Sequence, residues 1–468
     1  MHYCCLERLS AAIAKGTPVT ETSLFAELAS ALDRGAVAIR FRDQLEPTAG
    51  HRQPFQPATY LGDRARSYAT WAQGVVNPDG TAAFHGGERL TITCVTVDSE
   101  PSQANRAESG IADLVERQVL DLPKLEVIVN PGCTPERPDT VPELESIRGE
   151  RRFTIFDTPH REQDPLFRFG LVPREEFALA ETEKNVAEPV PGFVPFARTK
   201  IGQSILTAPG NDLSALLRHT PASLVFGFWH SYGTGLTAER ARLARRYTST
   251  IIARDAQPVV GGTAKRALFN EGKDVQLTLS DDDDLLFAVV PPEQKVDKTV
   301  SVGKPSSVGA GSILGEFGER GFTAEVIEWI STVSLRGFAQ TPLGEGVSAQ
   351  QRRSVTLALA VLAIAGRARA DLFLRSGCDL VPVPGTSVIE AIRHDGKAER
   401  LELDLTDQSL GGALAEAKKS LDDASKGAGR QLSIGGKADS VTMRLSPGYR
   451  ELIDASNAIP SIFKGETD

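Results

Sequence analysis

RLTITCVTVDSEPSQANRAESGIADL, residues 89–114, reads as a strand, a polar turn and a helix. Ser99 or Ser102 is placed to cap the helix. Strand followed by helix recurs along the chain, so the reading of this stretch decides the fold class. Upstream, AVAIRFRDQLEP (36–47) alternates Val37, Ile39 and Phe41 with Ala38, Arg40 and Arg42, which predicts a strand with one apolar and one basic face. Residues 4–34 carry apolar positions at helical spacing, as one or two amphipathic helices stopped by Gly35. Downstream, SLVFGFW (223–229) reads as a buried strand that opens into a helix near Thr237.

DVQLTLSDDDDLLFAVVPP (274–292) predicts a hairpin with an acidic tip. Residues 326–338 predict a strand pair or a strand-to-helix element, residues 347–383 a long helix and then a strand with Leu372 and Leu374, and residues 410–425 a polar amphipathic helix. The stretches 51–62 and 304–322 read as Pro-broken and Gly-rich loops, and 130–200 as an irregular insertion. No internal repeat is present. The expected fold class is α+β, an antiparallel sheet with helices on one face and long insertions.

The 468 residues suffice for a large core in two or three domains, with a net charge of −9 that argues against a uniformly basic nucleic-acid coat. Five scattered cysteines with no C-x-x-C signal neither a disulfide framework nor a zinc knuckle. A reducing cytoplasm is the expected setting, with no signal peptide and no membrane span. No phosphate-loop, zinc-protease or nucleophile-elbow motif occurs, and the seven histidines form no helical metal pair. GAGSILG (309–315) has the wrong spacing for a dinucleotide loop, and Asp281–Asp284 lack the Gly and terminal Glu of a calcium loop. Neither a cofactor, a metal nor a catalytic residue is expected.

What remains is a pattern for anions. A helix from Thr237 would place Arg242, Arg245 and Arg246 on one face, with Arg240 among the apolar residues, behind a turn containing Gly233 and Gly235. Lys265 and Arg266 extend this basic run. A solvated outer helix face satisfies the same pattern. Two further segments tilt the reading toward phosphate: Arg40 and Arg42 with His51 and Arg52 beyond them, and the donors Ser102, Gln103, Asn105 and Arg106 at the strand-to-helix turn.

Four stretches stand in a recognisable order: LEPTAGHRQPFQP (45–57), VDSEPSQANRAE (97–108), FGFWHSYGTGLTAERARLARRYTSTII (226–252) and LRSGCDLVP (374–382). Together they resemble the Cas-seven-type backbone subunit of type I-G (formerly I-U) CRISPR surveillance complexes, in the RAMP superfamily. Glu100-Pro101 departs from the family pattern and threatens to displace the helix start.

The resemblance implies a modified ferredoxin-like (RRM-like) palm over 36–400, with insertions at about 128–200 and 267–311, the latter a candidate thumb. An N-terminal helical extension (1–35) and a C-terminal helical or mixed segment (401–468) would flank it. It also implies several copies along one crRNA, target DNA reached through the guide, and a large subunit and a guide-processing subunit as neighbours. His230 and Ser231 join the residues above as expected RNA contacts. Two other classes stay open: a RAMP-type endoribonuclease with His51 or His230 as base, and a protein scaffold without nucleic acid.

Overall fold

The computed structural model describes residues 23–61, 66–129, 151–229, 242–261, 264–265, 276–279, 287–290, 301–303, 313–314 and 318–449, except positions 78, 87, 182, 184, 185 and 187. Its centre is a nine-stranded sheet. The strands in chain order are β1 (Ala36–Pro47), β2 (Thr70–Gly74), β3 (Thr91–Asp98), β4 (Tyr247–Gly261), β5 (Gly318–Val333), β6 (Phe373–Arg375), β7 (Cys378–Pro382), β8 (Val388–Arg393) and β9 (Ala398–Arg400). The spatial order is β6-β7-β1-β5-β4-β3-β2, and β8 also pairs with β1, along its N-terminal half, and carries β9. Every pairing is antiparallel. The fold is α+β.

β1 forms as the alternation predicts. Ile39, Phe41 and Leu45 face the core while Arg40 and Arg42 face out. Asp43 is the exception, a carboxylate on the apolar face. It pairs with Arg367, whose guanidinium lies 3.7 Å from the Trp329 ring centroid and 4.9 Å from that of Phe41. A buried cation is thus held by one carboxylate and two aromatic faces.

Helices α1 (Leu24–Asp33), α2 (Glu100–Glu116), α3 (Pro221–Phe226), α4 (Ala349–Ala368) and α5 (Asp407–Ser425) make up the helical layer named below. Pro101 lies in the first turn of α2, where a missing N–H costs nothing, so Glu100-Pro101 starts this helix rather than displacing it. α4 opens on a capping box between Ser348 and Gln351 and is buried on all sides from Ser354 to Arg367. It crosses α2 closely: a Cβ at Gly366 would sit 2.7 Å from the Ala107 carbonyl oxygen, so that position has no room for a side chain. α5 covers the far side of α4 with Leu410, Ala413, Leu414, Ala417 and Leu421.

Three expectations are corrected. SLVFG is not a strand: Pro221 opens α3, Gly227 at φ +77° ends it, and only Phe228–Trp229 are extended, paired with Arg242–Leu243. The arginine helix is absent where it can be seen. Residues 230–241 lie outside the described residues, but from Arg242 the chain is strand, then three irregular residues, then β4. The β-branched run Thr248, Thr250, Ile251, Ile252 resists a helix, and pairing with both β5 and β3 fixes it as sheet.

The described part of 130–200 is not irregular. Arg151–Thr154, Gly170–Pro173 and Phe193–Pro195 join Leu125–Val129 and Val441–Leu445 in a second, five-stranded sheet. Strands of three to five residues are too short to display a period of two. Because Val441–Leu445 lies inside that sheet and α5 on α4, residues 401–449 are built into the main body. The predicted hairpin is present as Gln276–Leu279 against Phe287–Val290, joined by Ser301–Gly303. Its acidic tip lies outside the described residues.

Candidate nucleic-acid interface

The large sheet has two unlike faces. Toward the helices, paired rows such as Phe41–Ser331–Ser249 and Asp43–Trp329–Ile251 are buried. On the outer face the rows are Arg40–Thr332–Thr248, Arg42–Ile330–Thr250 and Gln44–Glu328–Ile252–Thr96, half-exposed except for the exposed Arg42 and Gln44. The outer face is therefore hydroxyl-rich, with isoleucines between.

Its arginines are partly neutralised. Arg40 donates from Nε (3.0 Å) and Nη2 (2.7 Å) to Glu390 of β8, and Arg42 donates to the same carboxylate at 3.4 Å. Two guanidinium groups on one carboxylate leave one positive charge in excess. Arg254, in the next rows, is paired with Glu328 and donates to Gln73. The face can bind a polyanion through one excess charge and a field of hydroxyls, which suits phosphates and 2′-hydroxyls better than base edges.

The second group of expected donors turns inward. Asp98, fully buried at the end of β3, accepts from Gln103 Nε2 (2.7 Å), Arg106 Nε (3.1 Å) and Arg375 Nη2 (2.9 Å). Gln103 is itself fully buried, and its carbonyl accepts from Ser249. Arg106 also donates to the carbonyls of Asp371, Phe373 and Leu374, and Arg375 to those of Gln56 and Val97. Gln103 and Arg106 are thus spent in a clamp that joins three chain segments. Ser102, half-buried, and Asn105, exposed, keep surface, but on the helical layer and not on the strand face.

The third group divides. Arg245 is half-buried beside Glu108 on α2, its Nε without a partner among the described residues. Glu108 is buried and accepts both Nε and Nη2 of Arg161, whose Nη1 donates to the Gly227 carbonyl at 2.7 Å. Burial pushes the Glu108 carboxyl up, and Arg161 and Arg245 pull it back. Arg246 is half-buried, bonded to Thr341 Oγ1 at 2.8 Å, and burial lowers its pKa to about 10. Arg242 occupies a strand opposite Trp229, and Lys265 a strand opposite Ile313.

His51 and Arg52 are exposed in the loop after β1, where Arg52 pairs with Glu325. His230, Ser231, Gly233, Gly235, Arg240 and Arg266 lie outside the described residues. Among the described residues, the expected contacts that share the outer sheet face are Arg40 and Arg42, joined there by Thr248, Thr250 and Thr332, which sequence reasoning missed. For Thr248 and Thr250 the signal was the alternation in YTSTII, legible only once β4 is known to be a strand.

Residues 39–258 match the family model described as CRISPR-associated protein GSU0053 (Cas_GSU0053). Over these residues the chain is similar to a CRISPR-associated family. The matched segment runs from Ile39 in β1 to Pro258 in β4, taking in the outer-face arginines, Asp98 with Gln103 and Arg106, and the Glu108 cluster. The match supports a role in CRISPR defence. A search of curated proteins returns no match. Among the described residues no three His, Cys, Asp or Glu side chains are grouped to hold a metal ion, and no helix is long and apolar enough to cross a membrane.

Proposed function

We propose that the chain is the repeated crRNA-binding backbone subunit of a type I-G surveillance complex, gripping guide RNA without regard to sequence on the outer sheet face. The CRISPR-associated family match carries this reading. Topology supports it. β1-α2-β4-β5-α4-β8 lies in the order β8-β1-β5-β4, the arrangement of a ferredoxin-like split β-α-β unit, with both crossover helices on one face. The other face is left to a ligand.

One protein that serves every spacer has to hold backbone and leave bases free to pair with target DNA. Hydroxyls and a single excess charge can do that, and they keep an acidic protein from coating itself with bulk RNA. The small three-stranded sheet inserted between β4 and β5 is the candidate thumb. Further copies along the guide, a large subunit and a guide-processing subunit complete the proposed complex. The chain is then a structural subunit and not a nuclease.

The test is expression with a CRISPR array. RNA of uniform length should co-purify and raise the 260/280 absorbance ratio, and added RNA should stay intact. Arg40→Glu with Arg42→Glu should strip that RNA from a folded protein. Wild-type protein free of RNA overturns the proposal, and cleavage of added RNA overturns its non-catalytic part.

A further inference from the structure

We infer that the outer sheet face stacks an unpaired nucleobase on Trp71. This rests on the reading of that face as an RNA interface and deepens it, since phosphate and hydroxyl contacts alone give no place to the base. Trp71 lies in β2, the edge strand, and is 40% exposed. It pairs with Cys94, Cys94 with Arg254, and Arg254 with Val326. Direct partners across a sheet share a face, and Arg254 lies an even number of residues from Thr248 and Thr250. The indole therefore stands on the same side as Arg40 and Arg42.

Its surroundings are chemically satisfied. Gln73 accepts from Arg254 and from the Cys94 thiol, and Arg254 is paired with Glu328. This corner offers a broad π surface with a spent polar rim, which fits a flat base better than a phosphate. Stacking also agrees with sequence-independent grip, because every base has a π face.

Four strand spacings across the sheet and the four residues from Ile330 to Val326 along β5 separate Trp71 from Arg42 by about 20–25 Å. A single strand that crosses the sheet obliquely, with its backbone at Arg40 and Arg42, would reach Trp71 with a base.

The experiment uses the full chain freed of co-purified RNA, titrated with labelled single-stranded A-rich and U-rich RNA long enough to span that distance. Trp71→Ala should weaken binding about 5- to 150-fold, the range of one base–aromatic stack. Trp71→Phe should bind nearly as wild type, Trp71→Leu as Trp71→Ala, and A-rich RNA should lose more than U-rich RNA. Equal binding by the Phe and Leu variants overturns the inference even if the Ala variant fails to fold. If Arg40→Glu with Arg42→Glu loses RNA while Trp71→Ala binds within twofold of wild type, the interface stands and the stack falls. A Trp71→Ala protein with altered oligomeric state and unchanged RNA affinity assigns the indole to a second copy and also overturns it. Wild-type protein that binds no RNA takes both readings down.

Discussion

Glu162 is a fully buried carboxyl in the turn Arg161–Gln163. The Ser223 hydroxyl of α3 donates to its Oε2, while its Oε1 has no partner among the described residues. Burial raises its pKa from 4.5 to about 7, against the smaller opposing pull of Ser223 and Arg161, and the Glu108 carboxylate adds to the rise. The folded state thus holds a proton that the unfolded chain releases near pH 4.5. Its contribution is fully present below about pH 4.5 and is lost as pH rises through about 7. At about 1.4 kcal/mol per pH unit the loss comes to about 3 kcal/mol.

Glu162→Gln keeps the acceptor for Ser223 and removes the ionisation. Its amide nitrogen inherits the unpartnered place of Oε1, at a cost of about 1 kcal/mol. The variant should therefore be about 2 kcal/mol more stable than wild type at pH 8 and about 1 kcal/mol less stable at pH 4.5. Urea unfolding of both proteins at intervals from pH 4.5 to 8 reads this directly. Parallel pH profiles for the two proteins would refute the assignment of the titration to Glu162.

Three other substitutions probe the packing around the site. Asp43→Ala should cost about 3–5 kcal/mol by stranding the Arg367 cation between its aromatic rings, whereas Asp43→Leu with Arg367→Met should recover most of it, read by urea midpoints. Asp98→Ala should cost a similar amount and loosen the 371–375 segment that Arg106 and Arg375 hold to it, seen as faster amide exchange there. Gly227→Ala should lower the melting temperature by several degrees, since φ is +77° and a Cβ would sit 2.6 Å from the Leu243 carbonyl oxygen.

Much of the frame was legible because it rests on period and punctuation. β1, α2, α4 and α5 lie where alternation, helical spacing and caps place them. The misreadings have one cause: local pattern is ambiguous where tertiary pairing decides. RLARRY carries a passable helical wheel, yet its continuation TSTII is a strand with partners on both sides. The short strands of the second sheet have no local signature, and one of them arrives from Val441–Leu445, hundreds of residues away.

The site was misread for a different reason. A polar residue in a motif marks a hydrogen-bonding need, but sequence does not say whether a ligand or the protein meets it. At Asp98 the protein meets it: LEPTAGHRQPFQP gives the Gln56 carbonyl, VDSEPSQANRAE gives Asp98, Gln103 and Arg106, and LRSGCDLVP gives Arg375. The remaining motif joins at Glu108, where Gly227 meets α2 through Arg161 and Arg245 lies beside the same carboxylate. The motifs therefore specify how the sheet, the helices and the strand that follows α4 are locked together. This changes which arginines test RNA binding. Arg245→Glu would set a third carboxylate beside Glu108 and Glu162 and should destabilise the fold, so loss of RNA from that variant would carry no information about contact. Arg40 and Arg42 stand on the open face with one shared carboxylate between them, and Glu390→Gln offers the complementary test. Freeing both guanidinium groups should tighten RNA binding and steepen its salt dependence, without loss of stability beyond about 1 kcal/mol. Unchanged affinity across a salt titration would place the guide elsewhere on the protein.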